Sequence, residues 1–550
     1  NALFTALGTN FDYEGPRIEH ALNFEVQKGS GKETISRSNI WIGGVSDNIL
    51  YMAAENYYLG SDTVFHAGPY STAYPPEDLM EYRVWKISRE EIDFHIAHYK
   101  DEGYEPIPDI LSWPGNGNTE LGQSARLAPF FDQNEDSFYD PYDGDVPLIR
   151  GDQALFFIFN DRDVYHTEID SDPVKVEIHA SAYAFDQPDD PSLFNTIFMH
   201  YDIYNRSEMT YTNTFIALQN LMKLGYSLDN FIGCDVSRGT AYVYNGIPVD
   251  GNGEPWVYGA NPPVQGIVLL GGPVMPGDGL DNNTGECDEG INGLNFGDGI
   301  ADNERFGMTR FMTEIDEGPS TQPYPFDAAE YYNYMQGKWR GNYMVLYGGN
   351  GKVGDPLATG PECRFMYPGA SDPMNWGTNC EFPNGGYNQN GYFWTEETAN
   401  NRPWSRYATM ITGPFTFTPG EVQSLDVAFV YARDNDTTDQ LSAIDIMNQR
   451  IDTIRNRVEH GGIIYLPSYS VGVSEFYTEP IDFPVFPNPA NGDFVNIDLR
   501  KAGKDGQVYY EINDITGRSI SSGSLLSGGI RTVDISGLRP SIYVMLISQG

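Results

Sequence analysis

Residues 132–145, DQNEDSFYDPYDGD, carry oxygen-bearing side chains at alternate positions, a spacing that suits a hard cation. With Asp132 as position 1, Asn134 and Asp136 fall at 3 and 5, Phe138 offers a backbone carbonyl at 7, Asp140 falls at 9 and Asp143 at 12. Calcium takes six to eight oxygens at roughly 2.3–2.6 Å, and alternate side chains of a tight loop converge on one point. Ser137 stands where glycine normally allows the sharp turn, which predicts altered geometry or weaker affinity. A second stretch, DGLDNNTGECDEGINGLNFGDGIADNE (278–304), offers Asp278, Asp281, Asn283, Asp288 and Glu289 as one cluster. Asp298, Asp302 and Glu304 form the other. Few apolar residues are present to fold this stretch, so an ion is its expected organiser; a solvated acidic loop is the bland reading of both segments. Because both join β segments, calcium is expected as a structural cofactor that stabilises the fold by mass action.

Other chemistry-bearing residues are scattered. No HExxH, GxSxG, P-loop or GxGxxG stands in a setting that fits it. His95 and His98 lie three apart on a predicted helix, close enough to share a metal, but without a carboxylate set they read better as a helix-surface pair beside Tyr99. His166, Glu168 and His179, with Asp161 and Asp163, read equally well as strand-face polar residues. Nothing in the sequence brings Cys234 to His460 as a thiol dyad. A carboxylate pair for glycoside hydrolysis depends on proximity in space. Trp113, Trp256, Trp376, Trp394 and Trp404 fall in Gly/Pro/Asn-rich loops, either exposed to stack on sugars or buried as the centres around which those loops fold.

The totals narrow the classes. The 550 residues allow two to four domains, and 33 basic against 77 acidic residues give a net charge of −44. Such a surface repels nucleic acid and anionic membranes and attracts divalent cations. Aromatic residues make up 14 % of the chain, too much apolar surface for a disordered polymer. No apolar run reaches the roughly 20 residues of a membrane span. The opening NALFTALGTNF lacks a signal-peptide pattern, so it is expected to follow a cleavage site. Among the four cysteines, Cys363 and Cys380 share one loop-rich stretch and would close a short disulfide, leaving Cys234 with Cys287. All three pairings, and free buried thiols, remain open.

The elements that must position these residues are mostly strands. Alternation puts Val174, Val176, Ile178, Ala180 and Ala182 on one face, and does the same for Ile197, Met199, Tyr201 and Ile203 and for Leu425, Val427, Phe429 and Tyr431. Further strands are predicted at 38–43, 49–57, 82–87, 153–159, 240–244 and 264–270. A helix over 88–101 opens on a Ser88/Glu91 capping box with an Ile87–Ile92 staple. A second over 438–459 aligns Leu441, Ile444, Met447, Ile451, Ile454 and Val458 on one face before Gly461 and Gly462. The expected fold is mainly β: a β-sandwich body over 1–462 with long calcium-stabilised loops and few helices, with 145–150 as the candidate boundary between two subdomains. A linker at 463–482 and a small immunoglobulin-like sandwich over 483–550 complete it.

That last unit carries a specific combination: Pro487-Asn488-Pro489 with Gly492, Asp514 before Gly517-Arg518, and Asp534-Ile535-Ser536 with Leu538 leading to Tyr543. It resembles the type A sorting domain of type IX secretion cargoes, typical of Bacteroidetes. The resemblance implies export to the extracellular or outer-membrane surface and recognition by the translocon and its shuttle barrel. Removal of the sorting domain and attachment to surface lipopolysaccharide usually follow. Ser541 replaces the usual glycine, and the family generally runs one strand beyond Gly550. The body, through IWIGGV (40–45), WPGNG (113–117), 141–161, 194–207 and TGPFTFTPGE (412–421), resembles large uncharacterised cargoes of the same class. The loop at 132–145 is similar to dockerin-type loops, and 278–304 to calcium repeats of extracellular proteins. Taken together, these readings predict a non-catalytic adhesin, glycan binder or subunit of an extracellular assembly, its partners surface glycans or further copies of itself. A secreted hydrolase acting on polysaccharide or protein is the competing reading.

Overall fold

Strands whose residues alternate in character can bury both faces only if each face finds a different partner. In the computed structural model this is what the central strands do. The structure describes residues 1–12, 23–55, 64–72, 83–162, 164–284, 287, 291–315, 322–382, 391, 393–437, 439–461, 463, 464 and 466, then 485, 486, 492, 494–500, 507–514, 519–526, 528–538 and 543–549. Its residues divide into two compact units, Asn1–Tyr469 and Ser470–Gly550.

The strands of four or more residues in the first unit are β1 (Glu33–Ser46), β2 (Ile49–Ala53), β3 (Trp85–Ser88), β4 (Gln153–Asn160), β5 (Val176–Ala184), β6 (Thr196–Asn205), β7 (Tyr211–Met222), β8 (Asn230–Asp235), β9 (Thr240–Asn245), β10 (Val264–Gly271), β11 (Arg310–Ile315), β12 (Arg406–Phe417) and β13 (Val422–Ala432). One antiparallel sheet runs β1-β7-β12-β11, with β2 on β1. The other runs β8-β9-β10-β13-β6-β5-β4, with β3 on β4. Val176, Ile178 and Ala180 of β5, Met199, Tyr201 and Ile203 of β6, and Leu425, Val427 and Phe429 of β13 face the first sheet, in a core shared with Ile216, Leu218 and Met410. At roughly 25 cal/mol per Å² of apolar area, this shared core is the main stabilising term.

The opposite face of the second sheet is also used. Phe198, Ala428, Val430 and Val268 pack there against Met447, Ile451, Ile454 and Val458 of the long helix α3 (Ser442–Gly461), which follows α2 (Ala328–Met335) in the chain. Gly266 lets this helix approach: a Cβ there would stand 2.5 Å from Met447 Sδ. Leu441, predicted to share the apolar face, is exposed and lies just before the helix. The helix α1 (Arg89–His98) has the predicted capping box, with Ser88 N–H donating to Glu91 Oε2 at 2.8 Å, and Ile87 and Ile92 are both buried. The body also has strands absent from the sequence reading, among them β7, β8 and β11. Thr/Asn/Gln positions break their apolar pattern, and tertiary burial overrides weak propensity there.

The second unit contains β14 (Val485–Phe486), β15 (Phe494–Asp498), β16 (Gln507–Asp514), β17 (Ser519–Leu526), β18 (Ile530–Asp534) and β19 (Tyr543–Gln549). They form two three-stranded sheets, β14-β15-β18 and β17-β16-β19, around Val495, Ile497, Val508, Ile512 and Val533.

Candidate functional site

Beyond the reach of α3, the outer face of the second sheet turns polar. In register, His200 of β6 lies opposite Asp426 of β13 and Ser181 of β5, while Asp202 lies opposite Ser424 and His179. His200 Nδ1 is 2.6 Å from Asp426 Oδ1, and its Nε2 is 3.0 Å from Asp202 Oδ1. Arg305 Nη2 stands 2.8 Å from the other Asp426 oxygen, and Ser424 Oγ donates to Asp202 Oδ1 at 2.6 Å. Burial disfavours charge on His200, but Asp426, aided by Asp202, outweighs it and raises the ring's pKa. Burial likewise works against ionisation of both carboxylates. His200 and Arg305 nevertheless hold Asp426 below the usual range, and His200 holds Asp202 far below it. When protonated, the imidazolium has no lone pair left to take a proton and is held between the two carboxylates.

A strap of chain closes over the face. Trp113, Arg126–Pro129 and Leu148–Arg150 roof a cleft of about 250 Å³ whose floor holds Phe156, His179, Ser181, His200, Asp202 and Tyr204. Trp113 Nε1 donates to the Pro129 carbonyl at 3.1 Å and so fixes the roof. A second cleft of about 400 Å³ shares Trp113 and Leu127 and adds Trp85, Asn116, Asn118 and Gln123. Sequence reasoning missed His200, Asp202, Asp426 and Arg150. The available signal was the His-x-Asp-x-Tyr alternation 200–204, opposite in phase to the apolar face already read.

The loop at 132–145 gathers several of its predicted ligands through hydrogen bonds. Asp132 Oδ1 and Oδ2 accept from the Asp136 and Ser137 amides, and Asn134 Nδ2 reaches Asp136 Oδ2 at 3.1 Å and Asp143 Oδ2 at 3.4 Å. Ser137 makes the expected turn with φ +66° despite its side chain. Phe138 is an exposed part of the loop; its N–H donates to Asp136 Oδ1. Asp140 turns away to cap residues Pro141–Asp143, and the missed Asp145, fully buried, accepts from the Gln133 and Asp140 amides.

In 278–304 the grouping differs from the expected one. Asp302 accepts from the amides of Asp278 and Gly279, and Glu304 from that of Asn282, so Asp278 joins Asp302 and Glu304. Asp281 instead binds the Gly297 and Gly299 amides near Asn283, and Asp298 accepts from Ile300 N–H and Asn303 Nδ2. The chain doubles back, so residues some 20 apart meet while sequence neighbours diverge. Asp288 and Glu289 lie outside the described residues. Among the described residues, no three Asp, Glu, His or Cys side chains converge as a ready metal cage.

The other candidates separate. His95 is buried, its pKa lowered by burial, with Nδ1 3.0 Å from Tyr104 Oη, whereas His98 pairs with Asp101 at the surface. His166 directs both ring nitrogens to backbone carbonyls, those of Met52 and Asp161, and the Asp161 carboxylate accepts three amides at the entrance to β5. His179 contacts Glu177 at 3.0 Å; Asp163 lies outside the described residues. His460 Nδ1 meets the Asn456 carbonyl within α3, and Cys234 faces the sandwich core. The anticipated Cys363–Cys380 bridge is corrected: Cys380 joins Cys287, while Cys234 and Cys363 are free and buried. Cys363 is held inside the core, opposite Val345 in register. Of the loop tryptophans, Trp113 and Trp394 are buried as centres around which loops fold, Trp376 and Trp404 are half-buried and Trp256 is exposed.

In the second unit, Asp534 Oδ1 accepts from Ser536 N–H at 2.8 Å, and the Ser536 hydrogen bonds lower its pKa. Leu538 N–H closes the same turn onto Ile535, and Leu538 and Tyr543 pack on the small core. Asp514 ends β16 opposite Tyr543, and Gly492 has φ +123°. Pro487, Asn488, Pro489, Gly517 and Arg518 lie outside the described residues. Residues 484–550 match the family model of the secretion system C-terminal sorting domain. No curated protein matches the chain.

Proposed function

We propose, from the premise that this chain is a type IX secretion cargo exported to the extracellular or outer-membrane surface by its C-terminal sorting domain, that its body is a non-catalytic, glycan-binding adhesin. The observation that carries this reading is the pair of adjoining clefts joined at Trp113, with aromatic walls and hydroxyl, amide and charged groups on their surfaces. Sugars combine apolar C–H faces with a hydroxyl rim, and mostly apolar clefts with a few placed polar groups suit such ligands. The hydrolase reading finds less support. A glycosidase needs one carboxyl group kept protonated beside a second that is ionised. The carboxylate in the cleft, Asp202, is held ionised by His200, while the acids that burial raises to about 7 and about 8, Asp229 and Glu314, do not line it. Among the described residues no helix is long and apolar enough to cross a membrane.

Calcium belongs to the same proposal as a structural ion. Asp132, Asn134, Asp136 and Asp143 would hold it in one loop, and Asp278, Asp302 and Glu304 in the other, where it would neutralise crowded carboxylates and stiffen the loop. The test of function is a glycan array probed with the full chain, run beside a reducing-end release assay on the glycans that bind. Retention without product supports the adhesin; steady product release overturns it in favour of the hydrolase. Filaments seen by electron microscopy without glycan retention would make the protein an assembly subunit instead.

A further inference from the structure

The roofed cleft holds a buried guanidinium with unused donors. Arg150 is 9 % exposed; its Nε donates to the Ile464 carbonyl, and its Nη1 and Nη2 have no hydrogen-bond partner among the described residues. Those donors open on the cleft, where water or a ligand can take them. Two hydroxyls on the same cleft surface, Ser181 Oγ and Tyr204 Oη, also lack a hydrogen-bond partner among the described residues. The local charge is the reverse of the chain's. Of the groups that line the cleft, Arg126, Arg150 and, when protonated, His200 face the one carboxylate of Asp202, while Asp426 pairs with His200 and Arg305 behind them. Glu177 does not line the cleft; its carboxylate meets His179 and the Tyr70 amide. In a chain of net charge −44, a cationic cleft is set against the surrounding field and calls for a specific partner.

We propose that this cleft binds a carboxylate-bearing sugar, a uronic-acid unit of an acidic glycan, with Arg150 receiving the carboxylate. The planar fork of Arg150 matches a carboxylate through paired N–H donors. Ser181 and Tyr204 donate to the ligand's remaining oxygens, and Asp202, its side chain 34 % exposed, accepts from a sugar hydroxyl. Trp113 and Phe156, packed on each other and each 4 % exposed, present only their edges to the cleft as its apolar lining. The adjoining cleft across Trp113 gives the next sugar of the chain a place to lie. This inference rests on the glycan-binding reading and narrows it to one class of ligand.

The experiment is titration calorimetry of the full chain with trimers of galacturonate, glucuronate and mannuronate, each beside its carboxyl-reduced neutral counterpart. At least one acidic trimer is expected to bind tenfold or more tightly than its neutral partner. Arg150→Met should remove that preference, Arg150→Lys should restore part of it, and Tyr204→Phe should weaken binding about threefold. Should Arg150→Met fail to fold, as judged by its melt, Tyr204→Phe and competition by free galacturonate on the unmodified chain carry the test. Equal binding of acidic and neutral trimers, or an unchanged Arg150→Met, overturns the acidic-ligand inference while glycan binding stands. No binding of any trimer overturns the inference, and an empty glycan array in addition overturns the reading beneath it.

Discussion

Replacing Asp426 by asparagine keeps the shape of the side chain and removes one charge from the centre of the ionic cluster. Asp426 is 1 % exposed and sits between His200 at 2.6 Å and Arg305 at 2.8 Å. Removing one partner of a buried ion pair costs about 3–5 kcal/mol, because the charge left behind has lost both water and partner. Arg305 also donates to the carbonyls of Gly271, Gly272 and Ser424, which soften its loss, so the low end, about 3 kcal/mol, is expected here. The unit Asn1–Tyr469 unfolds with an entropy of roughly 1 kcal/mol/K at about 2.1 cal/mol/K per residue, so the melting temperature should fall by about 3 °C. The difference should depend on pH with a definite sign. The folded pKa of His200 is raised, so its share is full below the unfolded value of about 6.5 and declines as pH rises through the folded value. Asp426 is depressed, so its share is present above about 3.9 and is lost as pH falls through its folded value. Scanning calorimetry at pH 5.5 should therefore show the largest gap, narrowing toward pH 9. A gap below about 1 °C at pH 5.5, or one that stays constant to pH 9, would refute the reasoning.

Calcium at ten times a millimolar Kd should stabilise the body by about 1.4 kcal/mol per site, an increment that chelation abolishes and that Asp132→Ala and Asp302→Ala each reduce in a thermal melt. Glu314 is fully buried and its pKa is raised to about 8, so it favours folding while protonated and opposes it once pH rises past its unfolded value of about 4.3. Glu314→Gln should thus gain on the parent chain by about 4 kcal/mol between pH 5 and pH 9, read by urea denaturation. The Cys287–Cys380 bridge spans 93 residues, and Cys287→Ser should cost about 2–5 kcal/mol. Mass spectrometry after alkylation of the native chain should find Cys234 and Cys363 unlabelled, since burial hides both thiols and raises their pKa.

The sequence alone determined what depends on near neighbours. A two-residue period identified the core faces of β5, β6 and β13, a 3.6-residue period identified the apolar face of α3, and the Ser88/Glu91 capping box announced α1. The sorting unit was legible for the same reason, its turn at Asp534–Ser536 being made by residues two apart. The tertiary structure decided everything that turns on register between distant strands. His200 and Asp426 are 226 residues apart, and Arg150 reaches the Ile464 carbonyl across 314. No local pattern encodes which strands become neighbours, because a one-residue slip in register would carry His200 to the other face without changing a letter of the sequence. The cysteine pairing and the grouping of the acidic loop failed alike: spacing favours the nearest partners, while chain reversal brought Cys287 to Cys380 and Asp278 to Asp302. Closing a longer loop costs only logarithmically more entropy, so proximity in sequence is a weak guide once a large core holds the ends together.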